Sequence, residues 1–220
     1  MDAPEAGWLR IDIVSDVVCP WCVLGWRQLE RALQATAVEA AIHWHPFELN
    51  PHMAAEGEDL REHLAAKYGT TAEASRANRD RLRALGAELG FTFAFADDMR
   101  IRNTFNAHQL IHWAGRQGKA QAAEQALFAA YFSRGQDVHD IDVLAGIAGE
   151  LGLDPTQARA VLTEQRYAAA VRDAERQWTS RDVHAVPAMI FAGRYLVSGA
   201  QGVENYTSIL RQLAPADAVA

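Results

Sequence analysis

The first fifty residues alternate apolar and polar positions in a pattern that predicts a strand, a helix and a second strand. WLRIDIVS, residues 8–15, has apolar residues at every second position, which is the period of a strand. The segment after it carries one stripe of an amphipathic helix, with members spaced by four, three and four. The members of this stripe are Cys22, Trp26, Leu29 and Leu33. The second strand is predicted over AIHWHPFEL, residues 41–49.

The middle of the chain, residues 56–182, is rich in Ala, Glu, Arg and Leu at helical spacing. We expect five or six helices here, each ended by a glycine, because glycine readily adopts the left-handed conformation that follows many helices. The glycines that fit this role are Gly69, Gly90, Gly118, Gly135 and Gly152. FTFAF, residues 91–95, has the period of a strand but no neighbouring strand pattern, so we predict an extended connection.

Strand periodicity returns only near the end of the chain. PAMIFAGRYLVSG, residues 187–199, is predicted to form a hairpin that turns at Ala192 and Gly193. GVENYTSILRQLA, residues 202–214, is predicted to be a closing helix.

Strand, helix and strand at one end, with a hairpin and helix at the other, predict an α/β protein with the thioredoxin fold. A large all-helical insertion would separate its second and third strands. The predicted thioredoxin-like domain is therefore discontinuous, formed by residues 1–55 and 183–220. The helical insertion is predicted over residues 56–182.

Composition and charge narrow the classes of function. Half of the 220 residues are apolar, which is enough for a sizeable core, and 21 Lys and Arg against 28 Asp and Glu give a formal charge of −7. Without a basic run, nucleic acid or an anionic membrane is not an expected partner. No window reaches the roughly 18 apolar residues of a membrane span, and MDAPEAGWLRIDIVSD lacks the features of a signal peptide. We therefore expect a cytoplasmic protein.

Cys19 and Cys22 are the two cysteines of the chain, and in a reducing compartment such a pair indicates metal binding or redox chemistry. At a strand-to-helix turn, Cys19 would lie beside backbone N–H groups and the positive end of the helix dipole, which favour a thiolate. Cys22, one turn later on the apolar stripe, would be less exposed and suits the second step of disulfide exchange. Cys19 is therefore the predicted nucleophile. Pro20 fits the first helical turn, and Trp21 offers an apolar face beside Cys19.

Two other interpretations of the cysteine pair stay open. A structural disulfide would close too small a loop to stabilise the fold much. Zinc could be held by Cys19 and Cys22 together with His43 and His45, which point the same way on a strand. The helical stripe turns Cys22 inward, however, and strand-face histidines often have only a solvent-exposed or core role.

Five motifs in order resemble the DsbA superfamily, and more closely its FrnE-like branch of cytoplasmic thiol–disulfide oxidoreductases. That branch is related to 2-hydroxychromene-2-carboxylate isomerases and kappa-class glutathione transferases. The motifs are SDVVCPWC at 15–22, WHPFELNP at 44–51, RNTFNAH at 102–108, VHAVPAMIF at 183–191 and SGAQ at 198–201. Together they span nearly the whole chain.

The resemblance implies roles for residues outside the cysteine motif. Pro187 would be a cis proline opposite the cysteines, and Val186 before it would pair its backbone with an extended substrate. The chain has Ala185 and His184 where relatives often carry glycine and a small polar residue. The helix that begins near RNTFNAH would overhang the site, which makes Asn103 and His108 candidates for the substrate cleft, although both also suit a structural role.

Three functions remain open at this stage. The first is a disulfide oxidoreductase or isomerase without a bound cofactor, which acts on protein or small-molecule disulfides and is recycled by a cytosolic thiol reductant, with glutathione as a candidate co-substrate. The second is a glutathione-dependent isomerase or transferase of small aromatic or polyketide-like substrates. Relatives with that chemistry typically have Ser in place of Cys19 and lack the second cysteine. The third is a non-catalytic zinc-binding module.

Overall fold

The computed structural model describes residues 8–213. The predicted absence of a signal peptide and the last residue of the predicted closing helix concern in part residues 1–7 and 214, which lie outside this range. Within it, residues 8–47 and 174–213 belong to one compact unit and residues 48–173 to a second. The domain limits predicted from the sequence stay a prediction, since a compact unit need not be a domain that folds alone.

The first unit is built on a four-stranded sheet with two helices of its own. Its elements are β1 (Leu9–Ser15), α1 (Pro20–Thr36), β2 (Ala40–Pro46), β5 (Ala188–Phe191), β6 (Tyr195–Ser198) and α9 (Val203–Leu213). The strand order is β2-β1-β5-β6, in which β1 is parallel to β2 and antiparallel to β5, and β5 is antiparallel to β6. This is the predicted thioredoxin fold, including the hairpin that turns after Phe191.

Successive side chains of β1 point to opposite faces of the sheet, and both faces are buried. Leu9, Ile11 and Ile13 pack in one core with residues of α1 and α9, among them Trp26 and Tyr206. On the other face, a smaller core contains Val14, Trp178, Val183, Ala188 and Ile190. Because both faces are covered, the end of β1 and the turn into α1 lie in the interior of this unit.

The second unit is mainly helical. Its elements are β3 (Glu58–Asp59), α2 (Leu60–Tyr68), α3 (Ala72–Glu88), β4 (Arg100–Ile101), α4 (Phe105–Gly115), α5 (Ala120–Phe128), a π-helical turn (Ala129–Ser133), α6 (Ile141–Glu150), α7 (Pro155–Thr163) and the first part of α8 (Ala168–Thr179). β3 and β4 pair as a short antiparallel ladder that the sequence did not predict. Residues 91–95 belong to no helix or strand, in agreement with the predicted connection.

Residues 56–182, all of which the structure describes, contain seven α-helices, so the expectation of five or six was wrong. The five predicted glycine stops all have positive φ and do follow helical segments. The extra boundary, between α7 and α8, has no glycine and instead places Gln165 at φ 52°. Its side-chain amide donates to the Asn106 side chain at 2.9 Å and accepts a hydrogen bond from the Gln109 amide at 2.8 Å, and these contacts hold the left-handed residue in place.

Candidate active site

The site begins in the turn between β1 and α1. Cys19 has extended backbone angles and is the residue that precedes the helix, and Pro20 is the first helical residue, where a missing N–H costs no hydrogen bond. The Cys19 N–H donates to the Asp16 carbonyl at 3.0 Å, and the Cys22 N–H donates to the Cys19 carbonyl at 3.1 Å. These bonds fix both cysteines on one side of the first helical turn.

The two cysteines are free thiols 3.4 Å apart. Both are buried, Cys19 with 4% and Cys22 with 1% of its surface exposed, in the order that the helical stripe predicted. Burial raises the pKa of Cys22 well above its usual value, and the neighbouring Cys19 raises it further. Cys22 therefore holds its proton more firmly than an ordinary thiol. This suits a group that reacts only in the second step of disulfide exchange.

Cys19 faces the segment that precedes β5. Its Sγ lies 3.8 Å from the carbonyl oxygen of Val186, and the peptide bond between Val186 and Pro187 is cis. Pro187 is buried, whereas Ala185 and His184 are exposed. The structure thus brings together the predicted residues Cys19, Cys22, Pro20, Val186 and Pro187, with the partly exposed Trp21 between the cysteines.

The SGAQ motif supports the proline segment. The N–H of Gly199 donates to the carbonyl of Pro187 at 2.7 Å, and the hydroxyl of Tyr206 donates to the carbonyl of Gly199 at 2.9 Å. Burial raises the pKa of Tyr206 to about 12, so this hydroxyl keeps its proton in neutral solution. The side-chain oxygen of Gln28 on α1 accepts from the N–H of Gly202 at 2.8 Å. α1 and the proline segment are therefore linked through one loop.

Sequence reasoning missed the contact between Gly25 and Pro187. A Cβ at Gly25 would lie 3.1 Å from Cγ of Pro187 and 3.2 Å from Cε of Met189. Gly25 on α1 is buried, and its lack of a side chain lets the helix approach the proline closely. The available signal was a single glycine inside a helical pattern, which often marks a close approach.

The two histidines of β2 do not complete a metal site with the cysteines. Nε2 of His45 donates to Oδ1 of Asp12 at 2.8 Å, and the His45 ring packs on Trp178 with centroids 4.7 Å apart. Burial and the charge of Arg10 lower the pKa of His43. Among residues 8–213, no group of three or more His, Cys, Asp or Glu side chains is arranged to hold a metal ion.

Asp12 is a buried charge that sequence reasoning did not single out. It is 2% exposed, and both oxygens accept hydrogen bonds from the guanidinium of Arg10 at 2.7 Å. Burial by itself raises the pKa of Asp12, but the hydrogen bonds from His45 and Arg10 outweigh this and hold the pKa well below its usual range. Asp12 is therefore ionised, and its carboxylate links β1 to β2 through His45.

Asn103 and His108 lie in the helical unit. The amide of Asn103 donates to the carbonyl of Met53 at 3.1 Å, and its oxygen accepts from the N–H of Phe105 at 3.0 Å at the start of α4. His108, one turn into α4, is 3% exposed. Asn103 thus has a structural role within its own unit, and the roles of both residues in a substrate cleft stay predictions.

Fold and site together define a class of proteins, in which a thioredoxin fold carries two thiols at the start of its first helix and a cis proline beside them. The model of the DSBA-like thioredoxin domain family matches residues 10–211, and the chain belongs to this family. This confirms the resemblance to the DsbA superfamily.

Individual proteins are similar to this chain over most of their length. A crystal structure described as the probable DsbA oxidoreductase SCO1869 from Streptomyces coelicolor is 34% identical, with 93% of this chain and 89% of that chain covered and a TM-score of 0.87. The uncharacterized protein YwbO of Bacillus subtilis (strain 168) is 27% identical over 90% of this chain and 94% of its own. The fold is also shared by the cytosolic disulfide reductase DsbM from Pseudomonas aeruginosa, at 16% identity, 92% and 97% coverage and a TM-score of 0.65. None of the helices between residues 8 and 213 is long and apolar enough to cross a membrane.

Proposed function

We propose that this protein is a thiol–disulfide oxidoreductase in which Cys19 is the nucleophile and Cys22 the resolving thiol. The observation that carries the proposal is the contact between two free thiols, 3.4 Å apart, in unequal surroundings. Cys22 is buried with a raised pKa, whereas Cys19 precedes α1 and faces the proline segment.

The proposed reduction of a substrate disulfide has two balanced steps. The thiolate of Cys19 attacks one sulfur of the substrate, so that a mixed disulfide forms and the other substrate sulfur leaves as a thiolate. Cys22 then loses its proton and attacks Cys19, which forms the Cys19–Cys22 disulfide and releases the second substrate thiolate. The substrate gains the two electrons that the protein dithiol loses, and the same steps in reverse oxidise a substrate dithiol.

Val186 and Pro187 are proposed to hold the substrate beside Cys19. The contact between Cys19 Sγ and the Val186 carbonyl supports this, because a chain paired with the backbone at Val186 would pass next to the nucleophile. Trp21 is partly exposed and would contribute an apolar surface to the same place.

The proposed substrates are protein or small-molecule disulfides, and the proposed partner that restores the dithiol is a thiol reductant of the cytoplasm, with glutathione as the first candidate. A cytoplasmic location is itself part of the proposal. It fits the use of only two cysteines, both in one reactive motif, in a chain of this size.

The test is an insulin-reduction assay run beside a glutathione-conjugation assay on the same sample. We expect catalysed insulin reduction that is lost when Cys19→Ser and Cys22→Ser are combined, with no conjugation above that control. Conjugation without insulin reduction would instead support the glutathione-dependent isomerase or transferase. Stoichiometric zinc in freshly purified protein would support a metal-binding module.

A further inference from the structure

The carbonyl of Pro187 is held by a residue just beyond β6. In the antiparallel pairing of β5 with β6, Ala188 lies opposite Ser198. The N–H of Gly199 continues this ladder by one step and donates to the Pro187 carbonyl at 2.7 Å. Because proline has no backbone N–H, its carbonyl is the only main-chain group at this position that can form a hydrogen bond. The position of the chain at Pro187 therefore depends on where Gly199 lies.

Gly199 is fixed in turn by a side chain of α9. Its backbone has φ 79°, in the left-handed region that glycine adopts easily, and its carbonyl accepts a hydrogen bond from the hydroxyl of Tyr206 at 2.9 Å. Tyr206 is fully buried, and its ring packs in the core that β1, α1, β5 and α9 share. A phenylalanine ring would fill the same space in that core. What the hydroxyl adds is therefore the bond to Gly199.

Two hydrogen bonds thus lead from α9 to the segment beside Cys19. Val186 directly precedes Pro187, and its carbonyl oxygen lies 3.8 Å from Sγ of Cys19. A backbone group can pair with an extended substrate only while it stays in place, because a hydrogen bond weakens steeply when its angle is disturbed. A shift of Pro187 also moves Val186, so the hydroxyl of Tyr206 acts on the place where a substrate chain would pair.

We propose that Tyr206 is a positioning residue, whose hydroxyl holds Val186 and Pro187 in place for the binding of a polypeptide disulfide. This inference rests on the proposed oxidoreductase function. The hydroxyl takes no part in making or breaking a sulfur bond, so its effect belongs to substrate binding and not to disulfide exchange. A disulfide without peptide groups has nothing to pair with the backbone of Val186, and its reaction does not depend on Tyr206.

The experiment compares two disulfide substrates with the full-length protein and its Tyr206→Phe variant. Insulin presents peptide groups beside its disulfides, whereas dithiobis(nitrobenzoate), an aromatic disulfide, has none. For insulin reduction with excess dithiothreitol, we expect Tyr206→Phe to raise KM about fivefold and to leave kcat unchanged, as for the loss of one hydrogen bond that supports binding. The rate at which the reduced protein releases thionitrobenzoate from dithiobis(nitrobenzoate) should not change.

Tyr131→Phe is the matched control. The hydroxyl of the buried Tyr131 likewise donates to a backbone carbonyl, that of Arg100 at 3.0 Å, but this pair belongs to the second compact unit. Both variants should lose similar stability in urea unfolding, because each loses one hydrogen bond of the same kind. Only Tyr206→Phe should raise KM for insulin.

Each outcome bears on one of the two proposals. An unchanged KM for insulin in Tyr206→Phe, or an equal rise in both variants, contradicts the positioning role of Tyr206. If the rate with dithiobis(nitrobenzoate) falls by the same factor as kcat/KM for insulin, the hydroxyl acts on the thiols, which also contradicts that role. If the unaltered protein reduces neither substrate, the oxidoreductase function itself fails.

Discussion

Cys19 and Cys22 carry the same side chain in different surroundings. Cys19 lies at the start of α1 against the Val186 carbonyl, and Cys22 lies one turn deeper with a raised pKa. Because a thiolate is the reactive form, the surroundings of each sulfur decide the order of the two steps. The asymmetry of the pair is therefore the feature from which the proposed mechanism follows.

Removing each thiol in turn tests this order. Cys22→Ser should leave Cys19 able to form mixed disulfides that are not resolved within the protein, so we expect covalent adducts with insulin chains or glutathione to accumulate at least tenfold above those of Cys19→Ser. Non-reducing gels and intact-mass measurement report the adducts. Equal trapping by the two variants would show that the roles are wrongly assigned.

Asp12 gives a residue-scale prediction about stability. Its pKa is lowered in the folded protein, so its ion pair stabilises the fold fully above the unfolded value of about 3.9, and that contribution is lost as the pH falls below it. We expect Asp12→Asn to lower the free energy of unfolding by about 1.5–3 kcal/mol at pH 7. The difference from the unaltered protein should shrink below about pH 4.

Urea unfolding at a series of pH values measures this difference. Asp80→Asn is the matched control, because Asp80 forms a surface ion pair with Arg83, and loss of such a pair should cost less than about 1 kcal/mol at every pH. A cost for Asp12→Asn that does not depend on pH would contradict the assigned ionisation.

At the scale of elements, α1 and the segment before β5 are positioned against each other. Gly25 allows α1 to approach Pro187, and the Gly199 N–H holds the carbonyl of the same proline. The cysteines are on α1 and Val186 is on the proline segment, so the separation of these two elements sets the space beside Cys19.

Substituting Gly25 tests this packing. Gly25→Ala would place its Cβ 3.1 Å from Pro187 and 3.2 Å from Met189, tighter than ordinary contact, so the proline segment has to shift. We expect turnover in insulin reduction to fall severalfold. We also expect no net gain in stability, because the tight contact offsets the stabilisation that alanine gives in a helix. Gly146→Ala on α6 is the control, since nothing lies within 4 Å of its added Cβ. That variant should be about 0.5–1 kcal/mol more stable with unchanged turnover.

The sheet, the hairpin and the cysteine helix could be predicted because their signals are local. Alternation in residues 8–15 and a four-three-four stripe in α1 mark the side chains that pack together between the sheet and its helices. The boundary at Gln165 and the β3–β4 ladder could not be predicted in this way. The first depends on amides of α4 that are more than fifty residues away, and the second pairs only two residues from each strand.

In the candidate site, too, residues in sequence motifs could be predicted, whereas contacts between distant segments could not. Cys19, Cys22 and Pro20 were predictable from one short motif, and Val186 and Pro187 from resemblance. The hydrogen bond from His45 to Asp12 and the approach of Gly25 to Pro187 join residues that are distant in sequence, and neither partner carries a local pattern that points to the other. Such pairings become visible only when the strands and helices are in register.

At the scale of the whole molecule, the two cysteines define a redox equilibrium between a dithiol and a disulfide. The reduction potential of a dithiol depends on the surroundings of its two sulfurs, and Trp21 between the cysteines offers no imidazole hydrogen bond or charge. About 30 mV corresponds to 1.4 kcal/mol for this two-electron couple. We therefore expect a reduction potential between that of thioredoxin, about −270 mV, and that of the strong oxidant DsbA, about −120 mV.

Cys19 and Cys22 are proposed to cycle between dithiol and disulfide, and equilibration of the protein with glutathione buffers of graded potential measures this exchange. Unreacted thiols are alkylated and the intact mass is measured at each potential. We expect one two-electron transition, at a potential between about −270 mV and about −120 mV, to a form that has lost two hydrogens in a Cys19–Cys22 disulfide. If no such disulfide forms at any potential in the series, the protein does not use a dithiol–disulfide cycle.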